Sequence, residues 1–476
     1  MNRKTINNIK NLRNHSKEFL NFENEIKIIE NVIIRLSELM AISFGDAGGE
    51  VIKKNISNNE GLNPMIVGSK INAIFGFCYI HHFSTINEVF QDKTNVFVNT
   101  ISEIVHSSVD KFNGINNKNL GDCFLLTWKF KENKELITHN SNNNVNNISS
   151  NNNINNISIN NFSINNINSN NINNFNNSNK YASSKYVINI GNIKNEDIYE
   201  SNYISESVRI SKISEKADSA LLAFLNIIKK INKSKEILIY RKDPLLIEKF
   251  GKNFSVQMGF GLHTGWGIEG AIGSLYKIDC SYLSPNVNLA ARLETATNIY
   301  QVDILLSGDF YDLLSDYMKN YCRNIDIVTV KGSNKPIRLY TIDLNKNIKK
   351  GKMISKKDHM SFREKRNYYS FKKKKLWNFY NKQTTHSSIG EIYIKKSKGM
   401  RVLLKTIKSK KFYEYFHKGF KEYIDGDWGK AYNNLIKAKF LDKNDGPTNT
   451  ILNYLKQYDL KKPHNCKGYR ELTSKI

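Results

Sequence analysis

The stretch KINAIFGFCYI (70–80) is a run of β-branched and aromatic residues, which predicts a buried strand. From 86 to 112 the residues Val89, Phe90, Val96, Phe97, Ile101 and Ile104 recur at helical spacing and predict a helix with that face inward. NKNLGDCFLLTWKF (117–130) reads as a hairpin with Gly121 and Asp122 near its turn. ADSALLAFLNIIKKI (217–231) has the pattern of an amphipathic helix. Residues 254–279 read as two strands around glycine-rich turns, and SPNVNLAARLETATNIY (284–300) as a long helix with Ser284 as N-cap and Pro285 in its first turn. Strand–helix–strand material continues to about residue 345. Because strands and helices mix without regular alternation, the pattern predicts an α+β sandwich rather than a doubly wound sheet.

The flanks differ. FENEIKIIENVIIRLSELMA (22–41) repeats apolar residues at helical spacing, as a lead-in or dimer-forming helix would. From about 408 the pattern is helical, and FHKGFKEYIDGDWGKAYNNLIKAKFLDKNDGP is similar to one tetratricopeptide-like helix pair. Residues 139–179 are almost wholly Asn, Ser and Ile, with little to bury, and predict a disordered insertion in a surface loop. The expected organisation is a helical lead-in (1–60), a main domain (61–345) interrupted by an insert over 133–210, a basic linker (346–407) and a helical tail (408–476).

Composition narrows the classes. The chain of 476 residues carries a formal net charge of +27, but lysine and asparagine are frequent throughout, and no recognised nucleic-acid module accompanies the charge. Only 346–411 is basic in a concentrated way, including KKKK at 372–375; a solvated linker is the expectation there, with an anionic membrane surface or partner as the alternative. No apolar run of 18 residues occurs and the start is polar and basic, so neither a spanning helix nor a signal peptide is expected. Five scattered cysteines without a CxxC pair fit a reducing compartment and argue against structural zinc. GWGIEG (265–270) satisfies G-x-G-x-x-G, but AIGSLYKID continues as strand where a dinucleotide site needs a helix.

The informative segment is HTGWGIEGAIGSLYKIDCSYLSPNVNLAARLE (263–294). Together with FGFCYIHHFST (75–85) and the GD of the hairpin, it resembles the class III nucleotide cyclase family, nearest to protist adenylate cyclases; the ending KGYRELTSK is similar to a tail found in that group. The resemblance implies a ferredoxin-like antiparallel sheet with flanking helices. It also implies conversion of ATP to cyclic AMP and pyrophosphate at the interface of a homodimer or heterodimer, with Mg²⁺ or Mn²⁺ as cofactor. By the same resemblance Asn288 positions the ribose and Arg292 stabilises the transition-state phosphate. Lys277 and Ser281 read the base; a lysine donates to adenine N1, an acceptor, and faces a donor in guanine, which favours ATP. Lys331 resembles the lysine that reaches the nucleotide phosphates; the family's second lysine falls on Ser333, with Lys335 as a substitute.

One position breaks the pattern. Family members place metal-binding aspartates on the FGFC-D strand and at the hairpin GD. Asp122 matches the second, and the first is Tyr79, a phenol with a pKa near ~10 and a poor ligand for a hard dication. Ile80 could offer a backbone carbonyl, and His81 an imidazole better suited to Mn²⁺ or Zn²⁺, although a packed or exposed histidine is the commoner role. Two readings follow: an adenylate cyclase, alone or as half of a heterodimer, or a catalytically silent cyclase-like module. The expected location is cytoplasmic, with a membrane-side position also allowed.

Overall fold

The computed structural model describes residues 67–130, 196–345 and 360–472 apart from short gaps, together with parts of 25–49; side chains of the helix beginning at 196 are described from 211 onward. Most of the expected insert, most of the lead-in and Lys331 lie outside the described residues. Of the lead-in, residues 25–37 are helical, as the periodicity predicts. By contact the chain divides into one unit of residues 1–130 and 208–476 and another of 131–207.

The first unit is built on a mixed, mainly antiparallel sheet of nine strands. Strand β1 (Ser69–Ile80) pairs antiparallel with β3 (Cys123–Lys129) on one side and with β4 (Met258–Gly273) on the other. β2 (Ile115–Asn119) borders β3, β5 (Ile278–Leu283) folds back on the far end of β4, and β6 (Ile304–Ser307) runs parallel to β4. β8 (Ile337–Ile342) and β7 (Cys322–Val330) follow, and the three-residue β9 (Arg470–Leu472) closes that edge parallel to β7. The sheet therefore joins the middle of the chain to its last described residues.

Alternation on β1 sends its side chains to two cores. Ile74, Cys78 and Ile80 enter the large one, with α1 (Phe83–Phe90), α2 (Thr94–Lys111) and α3 (Glu196–Ile231). Ala73, Phe75 and Phe77 meet Tyr282, Val287 and Ala290 on the other face. The inward helical face expected from 86 to 112 is shifted: a 3₁₀ turn at Gln91–Lys93 resets the phase, so Phe97, Ile101, Ile104 and Val105 are buried while Val96 is exposed. Short helices α4 (Lys235–Tyr240) and α5 (Pro244–Phe250) complete that layer before β4. The long helix α6 (Pro285–Tyr300) starts as predicted: Ser284 accepts from the Asn286 amide and Pro285 stands in the first turn. The G-x-G-x-x-G segment is interior to β4, as expected from its strand continuation.

The basic segment differs from a linker over its described part. Helix α9 (Phe362–Asn381), after the short α7 (Gly308–Leu313) and α8 (Asp316–Lys319), packs on α2, and Trp377 donates from Nε1 to the Lys111 carbonyl at 3.2 Å. α10 (Ile389–Lys396) and α11 (Lys398–Leu403) bury Ile389, Ile392, Ile394, Met400 and Leu403 in the large core. Apolar residues spaced between the lysines dock these helices, and the charges line their outer sides.

The tail forms α12 (Lys410–Asp425), α13 (Trp428–Leu441) and α14 (Gly446–Gln457), the first two pairing as the helix-pair pattern predicts. This layer shares a core with α6, β6, β7 and β8. Two buried ion clusters fasten it. Arg323 bonds Asp343 at 2.8 Å and Asp445 at 2.7 Å while stacking near the rings of Phe412 and Phe416. Arg470 Nε donates to Asp326 at 2.7 Å, Arg470 Nη2 to the Tyr300 hydroxyl at 2.8 Å, and Tyr300 itself donates to Asp326 at 2.7 Å. The second cluster ties the last strand to the C-terminal end of α6.

Two outcomes are expected. Arg470→Ala leaves Asp326 charged and fully buried, and urea unfolding should show a loss of about 3–5 kcal/mol, against about 1 kcal/mol for Tyr300→Phe. Burial alone would raise the Asp445 carboxyl, but the charges of Arg323 and Lys408 and their hydrogen bonds hold it well below the usual carboxylate range. A depressed carboxylate adds stability that is complete above its unfolded pKa and is lost as pH falls through its folded one. Unfolding curves measured down the acid range should therefore show the tail holding below the ordinary carboxylate titration, and Arg323→Ala should move its loss up into that titration.

Candidate active site

Strand β4 reads MGFGLHTGWG at its start, with Gly259, Gly261 and Gly265 all on the side that faces α6. A side chain at Gly261 would run into the Ala290 carbonyl and the Glu294 amide, and one at Gly265 into the Asn286 side chain. These glycines let the helix lie directly on the strand backbone. His263, between them, is buried and bonds Ser307 through Nδ1 at 2.8 Å and Asn286 through Nε2 at 3.2 Å; burial, the larger effect, lowers its pKa. Ser284 and Asn286 both donate to the Trp266 carbonyl, at 2.6 and 2.9 Å, which fixes the first turn of α6.

The helix so placed buries Val287, Ala290, Leu293 and Glu294 and leaves Asn288 and Arg292 exposed, one turn apart on one face. Ser281 is buried on β5, its hydroxyl 3.4 Å from Asn117 Oδ1, while Lys277 is exposed in the turn that leads into β5. Lys277, Ser281, Asn288 and Arg292 thus come from one continuous segment of turn, strand, cap and helix. The neighbouring Asp279 pairs with Lys118 at 3.2 Å. Lys331 and Ser333 lie outside the described residues.

On the other side of the sheet end, the Ile80 amide donates to the Asp122 carbonyl at 2.9 Å, so the end of β1 and the β2–β3 turn are joined through backbone. Tyr79 is partly exposed and its hydroxyl stands in hydrogen-bonding reach of the Asp122 carboxylate. Burial first, then the Asp122 charge and that hydrogen bond, raise the Tyr79 pKa, so the phenol stays neutral and donating. His81 follows on the same side as Tyr79, as alternation along an extended chain gives, with the two rings 6.5 Å apart, although β1 itself ends at Ile80. Its Nε2, with Glu294 Oε1 and Thr297 Oγ1, crowds the α-carbon of Gly259, the register partner of Tyr79.

The sequence resemblance implies divalent metal ions at this end of the sheet. The donors here do not fit a metal pair: one carboxylate, Asp122, stands where two are needed, and it is engaged by a phenol. Among the described residues no group of three or more His, Cys, Asp or Glu side chains is arranged to hold a metal ion. Sequence reasoning identified the substituted position but not the Tyr79–Asp122 contact. It also missed Glu294, which reads in sequence as one more polar helix residue.

Glu294 is buried, and that burial, with a smaller contribution from Asp122, raises its pKa to about 7. A carboxyl whose folded pKa is raised binds more protons folded than unfolded, so stability is highest below its unfolded pKa and falls as pH rises toward about 7. Glu294→Gln should be near neutral at acidic pH and stabilising above neutrality, by on the order of 2–3 kcal/mol. Urea unfolding of both proteins across that range checks it, and a pH-independent difference would reject it.

Residues 197–344 match the family model described as the adenylate and guanylate cyclase catalytic domain, and residues 1–57 match one described as the RasGEFs all helical domain. The chain is 32% identical over 89 residues to the terminal-differentiation-specific adenylate cyclase of Dictyostelium discoideum, a stretch covering 18% of this chain and 4% of that protein. It is 32% identical over 88 residues to an adenylate cyclase of Anabaena cylindrica, covering 18% of each. The matches therefore span under a fifth of the length of these relatives. Among solved structures, a bacterial light-regulated adenylyl cyclase aligns with a TM-score of 0.40 at 16% identity, covering 74% of this chain and 69% of that one. Over residues 197–344 the chain is thus similar to the adenylate and guanylate cyclase catalytic domain.

Proposed function

We propose that this chain is an adenylate cyclase-type catalytic subunit that turns ATP into cyclic AMP and pyrophosphate, acts as a dimer, and is weak when paired only with itself. The observation that carries the proposal is an asymmetry. The segment 277–292 joins Lys277 in an exposed turn, Ser281 on β5 and Asn288 and Arg292 on α6 in one continuous stretch, while the carboxylate side has the single Asp122 with the Tyr79 hydroxyl in hydrogen-bonding reach.

In cyclisation the ribose 3′-oxygen bonds to the α-phosphorus, the bond to pyrophosphate breaks, and the hydroxyl proton is lost. Negative charge grows on the phosphate oxygens meanwhile, so donors fixed beforehand lower the barrier. Arg292 offers a planar, permanently charged fork for those oxygens. Asn288, one turn earlier, holds the ribose so that the 3′-oxygen faces phosphorus. Lys277 donates to adenine N1 and Ser281 accepts or donates at the neighbouring edge, which sets ATP above GTP. Lys331 reaches the outer phosphates. Lys277, Asn288 and Arg292 are exposed in the single chain, and closing a dimer over them would strengthen each interaction by excluding water.

No step is assigned to a metal on this chain, because its donors do not fit one. In a homodimer both interface sites would carry the same deficit. Paired with a cyclase domain that retains both carboxylates, this chain would supply Lys277, Asn288 and Arg292 to one complete site. A second reading, a silent subunit that binds nucleotide without turnover, draws on the same Tyr79–Asp122 contact.

The purified chain, assayed with ATP or GTP and Mg²⁺ or Mn²⁺, should make cyclic AMP at a low rate and little cyclic GMP. Tyr79→Asp should raise the rate by about 10²–10³, and Arg292→Ala should lower it in either background. Cyclic GMP as the main product would reject the ATP assignment. No product from the wild type or from Tyr79→Asp, both folded by circular dichroism, would leave the silent reading.

A further inference from the structure

On the layer of helices remote from α6, three lysines converge without a carboxylate. Lys111 is the last residue of α2, Lys229 is in the last turn of α3, and Lys233 lies just beyond it. Lys111 Nζ donates to the Tyr393 hydroxyl at 2.8 Å and Lys229 Nζ lies 3.4 Å from the same oxygen, which in turn donates to Asn226 Oδ1 at 3.3 Å. One phenol oxygen thus accepts from two ammonium groups, and the two nitrogens stand no farther apart than the sum of those contacts. Among the described residues neither lysine, nor Lys233, has an ion-pair partner. The nearby acids are already engaged, Asp110 by Lys373 and Glu391 by Lys395.

Partial compensation exists. The cations sit at helix C-termini, whose dipoles favour positive charge, and both lie over the Tyr393 ring, Lys111 at 4.6 Å and Lys229 at 5.6 Å from its centre. These contacts hold the ammonium groups without neutralising them. Burial, and then repulsion from neighbouring lysines, lowers the Lys111 pKa to about 8 and the Lys229 pKa to about 7. Lys233 belongs to the same cluster: a side-chain carbon built on Gly399 would meet Lys233 Nζ at 3.2 Å and Lys229 Cδ at 3.3 Å. Lys372 of the KKKK run on α9 adds to the field at Lys111. The lysine run singled out in the sequence is therefore next to this cluster and not on a free linker.

We propose that Lys111, Lys229 and Lys233, with the Tyr393 hydroxyl, form a binding site for a phosphate-group anion, distinct from the nucleotide site. A multiply charged phosphate oxyanion supplies both the missing charge and the acceptors for ammonium donors that now share one oxygen. The positive field of α9 would draw such a ligand toward the cluster. The group can belong to a soluble polyphosphate or to a phosphorylated lipid head, and the two are separable by experiment.

Isothermal titration of the full chain with inositol hexakisphosphate, and sedimentation with phosphatidylcholine vesicles with and without a phosphoinositide, test this. Binding to the soluble probe assigns a free ligand; binding confined to phosphoinositide vesicles assigns a lipid head. In either arm Lys229→Met and Lys111→Met should weaken binding at least about tenfold, since each removes one charge-assisted contact, while Arg292→Ala leaves it unchanged. Should the lysine variants fail to fold, the wild type still decides. Titration at pH about 8 with inositol hexasulfate, which carries no titrating protons there, should take up protons, read from heats in buffers of different ionisation enthalpy. Binding without proton uptake, binding that the lysine variants retain, or no binding to any probe would overturn the proposal.

Discussion

Helix α6 lies on β4 with no side chain between them at Gly259, Gly261 and Gly265, and the rest of the molecule is arranged around that approach. A methyl group at Gly261 would push the helix off the strand by striking its backbone, because the Ala290 carbonyl and Glu294 amide already occupy that space. The helix in turn carries Asn288 and Arg292, the side chains proposed for ribose and phosphate. His263, Ser284 and Asn286 fix its first turn to β4 and β6, and Tyr300 fixes its last turn to Asp326 and Arg470. The exposed face of Asn288 and Arg292 is held at both ends by buried polar contacts, which position a helix more narrowly than apolar packing alone.

This arrangement gives the C-terminal part of the chain a place in the site although none of its residues touches it. The layer of α12, α13 and α14 shares a core with α6, and Thr450 donates to the Ile299 carbonyl at 3.0 Å. β9 closes the sheet edge by pairing with β7 over Val328–Val330. The tail is thus part of the framework that aims the helix, and not an appended module.

The carboxylate end of the site shows a different economy. A tyrosine in place of an aspartate removes a charge, and it also satisfies the aspartate that remains by donating to it. Both changes act in one direction, since a carboxylate that accepts from a neutral phenol has less need of a cation. Behind it, Glu294 is buried beside Thr297 and His81, where an extra proton costs less than a charge.

How much of this was legible in the chain varies with the range of the interaction. Local signals carried the cap of α6 by Ser284 and Pro285, the buried strand at 70–80, the rejection of GWGIEG as a dinucleotide motif, and the Asn288–Arg292 pair, because each depends on residues within a turn or a strand of one another. The sequence also marked Tyr79 as the departure from the family pattern. Tertiary structure alone decided the rest. The phase of the helix after residue 86 was reset by a 3₁₀ turn. The basic segment was folded onto α2 because its apolar residues found a core that no local window displays. The contact of Tyr79 with Asp122, and of Arg470 with Tyr300, joins residues far apart in the chain, and the physical reason they escape a sequence reading is that only the sheet register and close packing bring them within bonding distance.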